Sequence, residues 1–139
     1  MTKLVNADGK IWVALSNRLA AWSETRVMLP DVIFTPEADE AYLIVQDVGL
    51  ESDIRPLNQD CGEVFSGLLN VSVMAPLGWT WGQHKGLAGR VADFLSDSGV
   101  MLYQDARVRF QTRAKVIGAP RLDQSWNRCE VQVEYRCWG

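Results

Sequence analysis

Between Ala106 and Trp138 the chain alternates apolar and polar residues through two long runs separated by a turn. In Ala106 to Val116, Val108, Phe110, Ala114 and Val116 share one parity, and Arg107, Arg109, Gln111, Arg113 and Lys115 the other. In Trp126 to Trp138, Cys129, Val131, Val133, Tyr135 and Cys137 oppose Arg128, Glu130, Gln132, Glu134 and Arg136. Successive side chains of a strand point to opposite faces, so each run has one face to bury and one to leave in water. With turn residues at Gly118 to Asp123, the pattern predicts a long antiparallel hairpin. Its polar face sets Arg and Lys of one strand near Glu of the next, worth up to ~1 kcal/mol per pair. A hairpin with one apolar face needs a second layer to cover it.

The rest of the chain supplies that layer. Glu63 to Ala75 predicts a long strand with Phe65, Leu69, Val71, Val73 and Ala75 on one face and Ser66, Asn70 and Ser72 on the other. Gly67 interrupts it, as at a bulge or a close backbone approach. A turn over Pro76 to Gly82 leads to a helix ending near Ser96, with Leu87, Val91, Phe94 and Leu95 as its apolar stripe and Gly99 as its left-handed cap. Residues 8 to 25 predict another helix, with Asp8 as N-cap and Ile11, Leu15, Leu19 and Trp22 on one face. Short strands are expected at Val32 to Thr35 and Val100 to Tyr103, and a central strand, covered on both faces, at Ala41 to Val48. Gly49 to Gly62 is polar and reads as an exposed loop or short hairpin. The order is α-β-β-β-α-β-β-β. It predicts an α+β fold, a mostly antiparallel sheet with two helices on one face, as a single domain over residues 1–139.

The residues offer little chemistry. His84 is the only histidine, and no Ser-His-Asp or Cys-His spacing surrounds it; beside a helix start it reads as a surface or capping residue. The glycines at 78, 82, 86 and 89 lack a phosphate-loop pattern, because Lys85 is followed by Gly86 rather than Ser or Thr. No His or Cys cluster has metal-ligand spacing, and Asp47, Glu51 and Asp53 are too loose a set to bet on. Cys129 and Cys137 would lie roughly 26 Å apart on one strand, beyond disulfide reach, so with Cys61 they read as reduced, apolar fillers. The expectation is a protein that is not an enzyme and uses no cofactor and no metal. A net charge of -3 and a pI near 5.1 argue against a general nucleic-acid binder. The N-terminus has no apolar signal segment and no window suits a bilayer span, so synthesis in the cytoplasm and no membrane partner are expected.

What stands out is surface. Residues 31 to 63 carry nine acidic groups and one basic, and residues 104 to 139 carry seven basic and four acidic. Opposite charges on one small domain suit head-to-tail association into a ring, and equally suit two solvated faces. The Arg107, Arg109, Arg113, Lys115 row fits a solvated face, a neighbouring subunit or a strip facing DNA; the lack of aromatic stacking partners disfavours the last. Six tryptophans are an excess. Trp12 and Trp22 read as core, while Trp79 and Trp81 at a turn read either as an interface anchor or as a lid folded on the core.

The stretch Gly67-Leu68-Leu69-Asn70-Val71-Ser72-Val73, then Ala75-Pro76 and a Gly, then a helix with Leu87-Ala88 and Phe94, resembles the tail terminator proteins of lambda-like long-tailed phages. The Ile11 to Trp22 helix, the Tyr42 to Val45 strand and the closing strand pair extend the resemblance over the whole chain. It implies a structural subunit forming a homohexameric ring on the last tail-tube ring at the head-proximal end of the virion tail. The small core and polar strand faces predict a monomer or a weakly held ring for the isolated protein. Its implied partners are the major tail tube protein and a head-completion protein. DNA passes through such a ring without specific recognition. The interface candidates are Arg107, Arg109, Arg113, Lys115, Trp79, Trp81, Glu51 and Asp53. The competing readings are a head-closure or head-tail connector protein and a small cytoplasmic ligand-binding domain or enzyme.

Overall fold

The computed structural model describes residues 6–30, 34–54 and 63–138. Two helices and seven strands follow in the order α1 (Ala7–Ala20), β1 (Arg26–Met28), β2 (Tyr42–Ile54), β3 (Glu63–Pro76), α2 (Trp81–Ser96), β4 (Val100–Tyr103), β5 (Ala106–Phe110), β6 (Lys115–Asp123) and β7 (Trp126–Trp138). The sheet order is β1-β2-β3-β7-β5-β4, with β6 also paired to β7. Only the short β1–β2 pairing is parallel.

Strand β7 is the hub. One edge pairs with β3 from Trp126 to Cys137, and the other is shared by β6 and β5. The sharing is possible because the register slips. Phe110 faces Tyr135 and Lys115 faces Gln132, so five steps along one chain match three along the other. A second slip follows between Ile117 and Arg121, beside Gly118 at φ 72. Glycine adopts that left-handed backbone without a Cβ penalty. The predicted single strand over 106 to 116 is therefore two strands, and β6 runs through the expected 118 to 123 turn. The hairpin closes instead at Gln124 and Ser125, with Gln124 at φ 57.

Both helices cover one face of the sheet. Ile11, Ala14, Leu15 and Leu19 of α1 and Leu87, Ala88, Val91, Ala92 and Leu95 of α2 join Leu43, Val45, Leu69, Val71, Val73, Cys129, Val131, Val133, Tyr135 and Cys137 in one core. This is the face that alternation predicts. Helix α2 starts with a capping box, Thr80 Oγ1 accepting from the Gln83 amide and Gln83 Oε1 from the Thr80 amide, which satisfies two donors that helix geometry leaves orphaned. It ends before Gly99 at φ 62, the expected left-handed cap.

Arg18 ties the two helices together. Its guanidinium donates to the Phe94 carbonyl at 2.7 Å and to Ser98 Oγ at 2.8 Å, and stacks 3.8 Å over the Phe94 ring. A cation there complements the carbonyl end of α2. Replacing Arg18 with Ala is expected to cost about 1.5 kcal/mol, read as a lower urea midpoint at unchanged m-value. An unshifted midpoint would show that the clamp is idle.

Other expectations shift. Helix α1 stops at Ala20 rather than 25, so Trp22 packs edge-on against Phe94 from outside the helix, and the N-cap is Asn6 rather than Asp8. The first strand is Arg26–Met28, upstream of the expected Val32 to Thr35; Phe34 and Thr35 are not strand, and residues 32 and 33 lie outside the described residues. Phe34 instead stacks between the Tyr42 ring and the Arg26 guanidinium. Strand β2 is not covered on both faces, since Gln46 is exposed, and it continues to Ile54, turning half of the expected 49 to 62 loop into the arm of a hairpin with β3. The irregularity near Gly67 belongs to the partner strand, between Asp47 and Gly49. Cys61 and residues 55–62 lie outside the described residues.

Candidate assembly surfaces

The sheet face opposite the helices, the outer face, carries Arg107, Arg109 and Lys115 of the expected interface residues. Arg107 and Arg109 of β5 are exposed there. In register, Arg109 stands between Val100 of β4 and Arg136 of β7, and Arg107 between Leu102 and Trp138. Val100 and Leu102 are 47% and 67% exposed, unusual for aliphatic residues on an edge strand. Val64, Arg109, Phe110, Gln111, Arg136 and Trp138 line an open groove of about 420 Å³. Arg113 leaves this row: it falls in the break between β5 and β6 and pairs with Asp93 of α2. Lys115 is exposed at the start of β6, opposite Gln132. The expected four-residue row is thus two arginines joined by Arg136, which hairpin register makes Arg109's neighbour and parity alone does not.

Further along the same face the polar residues turn inward. Ser72 and Asn70 are buried although their parity points away from the core. Glu130 explains them. Its carboxylate accepts from Asn70 Nδ2 and Ser72 Oγ at 2.8 Å each and from Arg128 Nε at 2.6 Å. Arg128 also donates to Ser72 Oγ at 2.8 Å and Asp123 at 3.0 Å. Burial alone would raise the Glu130 carboxyl, but these hydrogen bonds and the Arg128 charge outweigh it and hold it below the ordinary glutamate range. The network joins β3, β6 and β7 on the outer face.

The turn from β3 into α2 splits its two tryptophans. Trp79 is half-buried against the core, and Trp81 is 57% exposed, with Lys85 near its ring. Leu77 beside it is 53% exposed. The β6–β7 turn lies at the same end of the sheet, since Pro76 opposes Trp126, and it adds exposed Leu122. One end of the sheet therefore offers scattered apolar side chains. Trp79 thus folds onto the core, and Trp81 stays exposed.

Acidic residues gather at the other edge. Glu37, Asp39 and Glu40 are exposed in the loop before β2, which is closed by the Glu40 amide on the Glu37 carbonyl at 3.2 Å. Glu51 and Asp53 lie on the β2 arm, in register with Ser66 and Val64.

His84, Cys129, Cys137 and Tyr135 are buried in the core. His84 is not a surface residue: it is 1% exposed, and its Nε2–H donates to the Val73 carbonyl at 2.6 Å. Cys129 and Cys137 are free and buried, and burial pushes the Cys137 thiol up to about 11, so it stays a neutral core filler at physiological pH. Tyr135 is fully buried and donates to Asp47 at 2.8 Å; burial first, and then that hydrogen bond, raise its phenol. Among the described residues no three His, Cys, Asp or Glu side chains gather as metal ligands, and no helix is long and apolar enough to cross a membrane.

A family model described as phage tail terminator protein matches residues 10–135. One solved structure superposes with a TM-score of 0.73 at 19% identity, covering 97% of this chain and 98% of its own, a likeness of fold. No curated protein matches the chain in sequence.

Proposed function

The chain belongs to the phage tail terminator family, a family of structural tail proteins, and from that premise we propose that it caps the tail tube as a ring of six copies. The ring ends tube polymerisation and gives the head-completion protein a surface to join. Its place is the head-proximal end of the tail, and DNA passes through it without sequence recognition. The family match over residues 10–135 carries this reading. A stacking polymer is stopped by a subunit with one face that fits the tube and one that does not. This subunit has the means: opposite charges on opposite edges of its sheet for lateral contacts, and an apolar end at Leu77, Trp81 and Leu122 for contacts along the tail axis.

Electron microscopy of a lysate from a phage lacking the gene tests it. Overlong tubes without heads are expected. Normal-length tails beside separate filled heads would move the role to a head-tail connector, and unaltered virions would end the assembly reading. At the residue level, Trp81→Ala is expected to change folding stability by less than about 0.5 kcal/mol while lowering capped tails at least about tenfold. Equal losses in both would place Trp81 in the fold rather than in a contact.

A further inference from the structure

We propose that the outer face at the β4 edge, built from Arg107, Arg109 and Arg136 with Val100 and Leu102, receives the acidic loop Glu37 to Glu40 of a second copy of this chain. The inference rests on the ring reading above and names its lateral contact. Arg109 and Arg136 are direct cross-strand partners, and like charges so placed repel. Among the described residues none of the three arginines makes an ion pair, although Glu134 shares their face two residues from Arg136. Beside them, Val100 and Leu102 stay exposed on a strand paired only with β5 among the described residues. A repulsive pair next to apolar side chains on an open edge costs a lone subunit stability and solubility with no return.

The acidic loop is the complementary part. Glu37, Asp39 and Glu40 are exposed and, among the described residues, unpaired, with Pro36 and Ala38 between and before them as apolar surface. Three carboxylates answer three guanidiniums. A phosphate backbone would also answer the guanidiniums but would leave Val100 and Leu102 in water. The two parts are placed for different neighbours. Strands β3, β7 and β5 separate β2 from β4. Along the strands, Tyr42 aligns through Met74 with Arg128, and Arg136 lies eight residues further along β7, roughly 26 Å away. A knob at one corner and a socket at the opposite corner form a heterologous interface, the kind that closes rings.

The test supplies three variants to a phage lacking the gene: Arg107→Glu/Arg109→Glu/Arg136→Glu, Glu37→Lys/Asp39→Lys/Glu40→Lys, and both sets in one chain. Thermal melting of each purified protein confirms folding. Each single set is expected to lower infectious titre at least about a hundredfold, because like charges then face each other. The combined chain is expected to recover to within about tenfold of the unmodified protein. Unchanged titre in either single set, or no recovery in a combined chain that folds, overturns the pairing. If the combined chain melts early, Asp39→Cys/Arg109→Cys on assembled tails decides: intersubunit disulfides support the contact and their absence overturns it. Cross-linking of the unmodified protein on purified tails keeps the two ideas apart. Self-linked multimers retain the ring when the pairing fails, and exclusively single copies sink the ring itself.

Discussion

Glu130→Ala is expected to destabilise the protein by about 3 kcal/mol. Among the described residues the carboxylate is the one acceptor that Asn70, Ser72 and Arg128 all share, and its side chain is 15% exposed. Removing it strands donors on two strands and leaves Arg128, 22% exposed, with Asp123 as its remaining acid. Asn70 Oδ1 already lacks a partner among the described residues, so the site carries one unmet polar atom before any substitution. Glu130→Gln should lose nearly as much, since its amide nitrogen must face a donor. The pH dependence follows from the lowered carboxyl. Its stabilisation is fully present above the unfolded glutamate value of about 4.3 and is lost as pH falls through the lower folded value. Urea unfolding of the unmodified protein between pH 7 and 3 should show this acid limb, and Glu130→Gln should flatten it. Glu134→Gln, exposed on the same strand, should stay within about 0.5 kcal/mol of the unmodified protein. An acid limb of equal size in Glu130→Gln would place the titrating group elsewhere.

That network also marks where reading the sequence stops working. Alternation identifies the buried face of β3 and β7 correctly, because the core side is apolar without exception from Leu69 to Ala75 and from Cys129 to Cys137. It even survives the break between β5 and β6. The slip at 110 to 115 is even, so parity carries across and the apolar residues stay inward on both sides. For the same reason parity gives no sign that a break exists, and Arg113 looks like a member of a row from which the slip removes it. Ser72 and Asn70 fail in the opposite way. Their polarity assigns them to water, and they are buried because Arg128 and Glu130, two residues apart on β7, close over them from the neighbouring strand. The basic face has the same character: Arg136 joins Arg109 only through hairpin register, which depends on a turn two residues long at Gln124 and Ser125 that carries no Asn-Gly or Asp-Gly signal. Local pattern fixes faces; pairing between distant strands fixes sites.

His84→Ala is expected to cost about 3 kcal/mol, from the cavity left by a fully enclosed ring and the lost bond to the Val73 carbonyl. Because Val73 O accepts, Nε2 carries the hydrogen and Nδ1 faces the interior as a bare acceptor without a partner among the described residues. His84→Leu should therefore be much milder, about 1 kcal/mol, since it refills most of the volume and removes the unpartnered nitrogen along with the bond. Equal effects of Ala and Leu would mean that the hydrogen bond, not packing, holds the imidazole. The position matters beyond stability. His84 sits in the first turn of α2 and fastens that turn to the C-terminal part of β3, while Trp81, three residues earlier, is exposed on the same turn. A loss of tail capping in His84→Ala should track its loss of folded protein and recover when the temperature is lowered. The loss in Trp81→Ala should not recover, because that subunit is folded and lacks only the contact. Two neighbouring substitutions thus separate a turn that holds the subunit together from the side chain proposed to meet a partner.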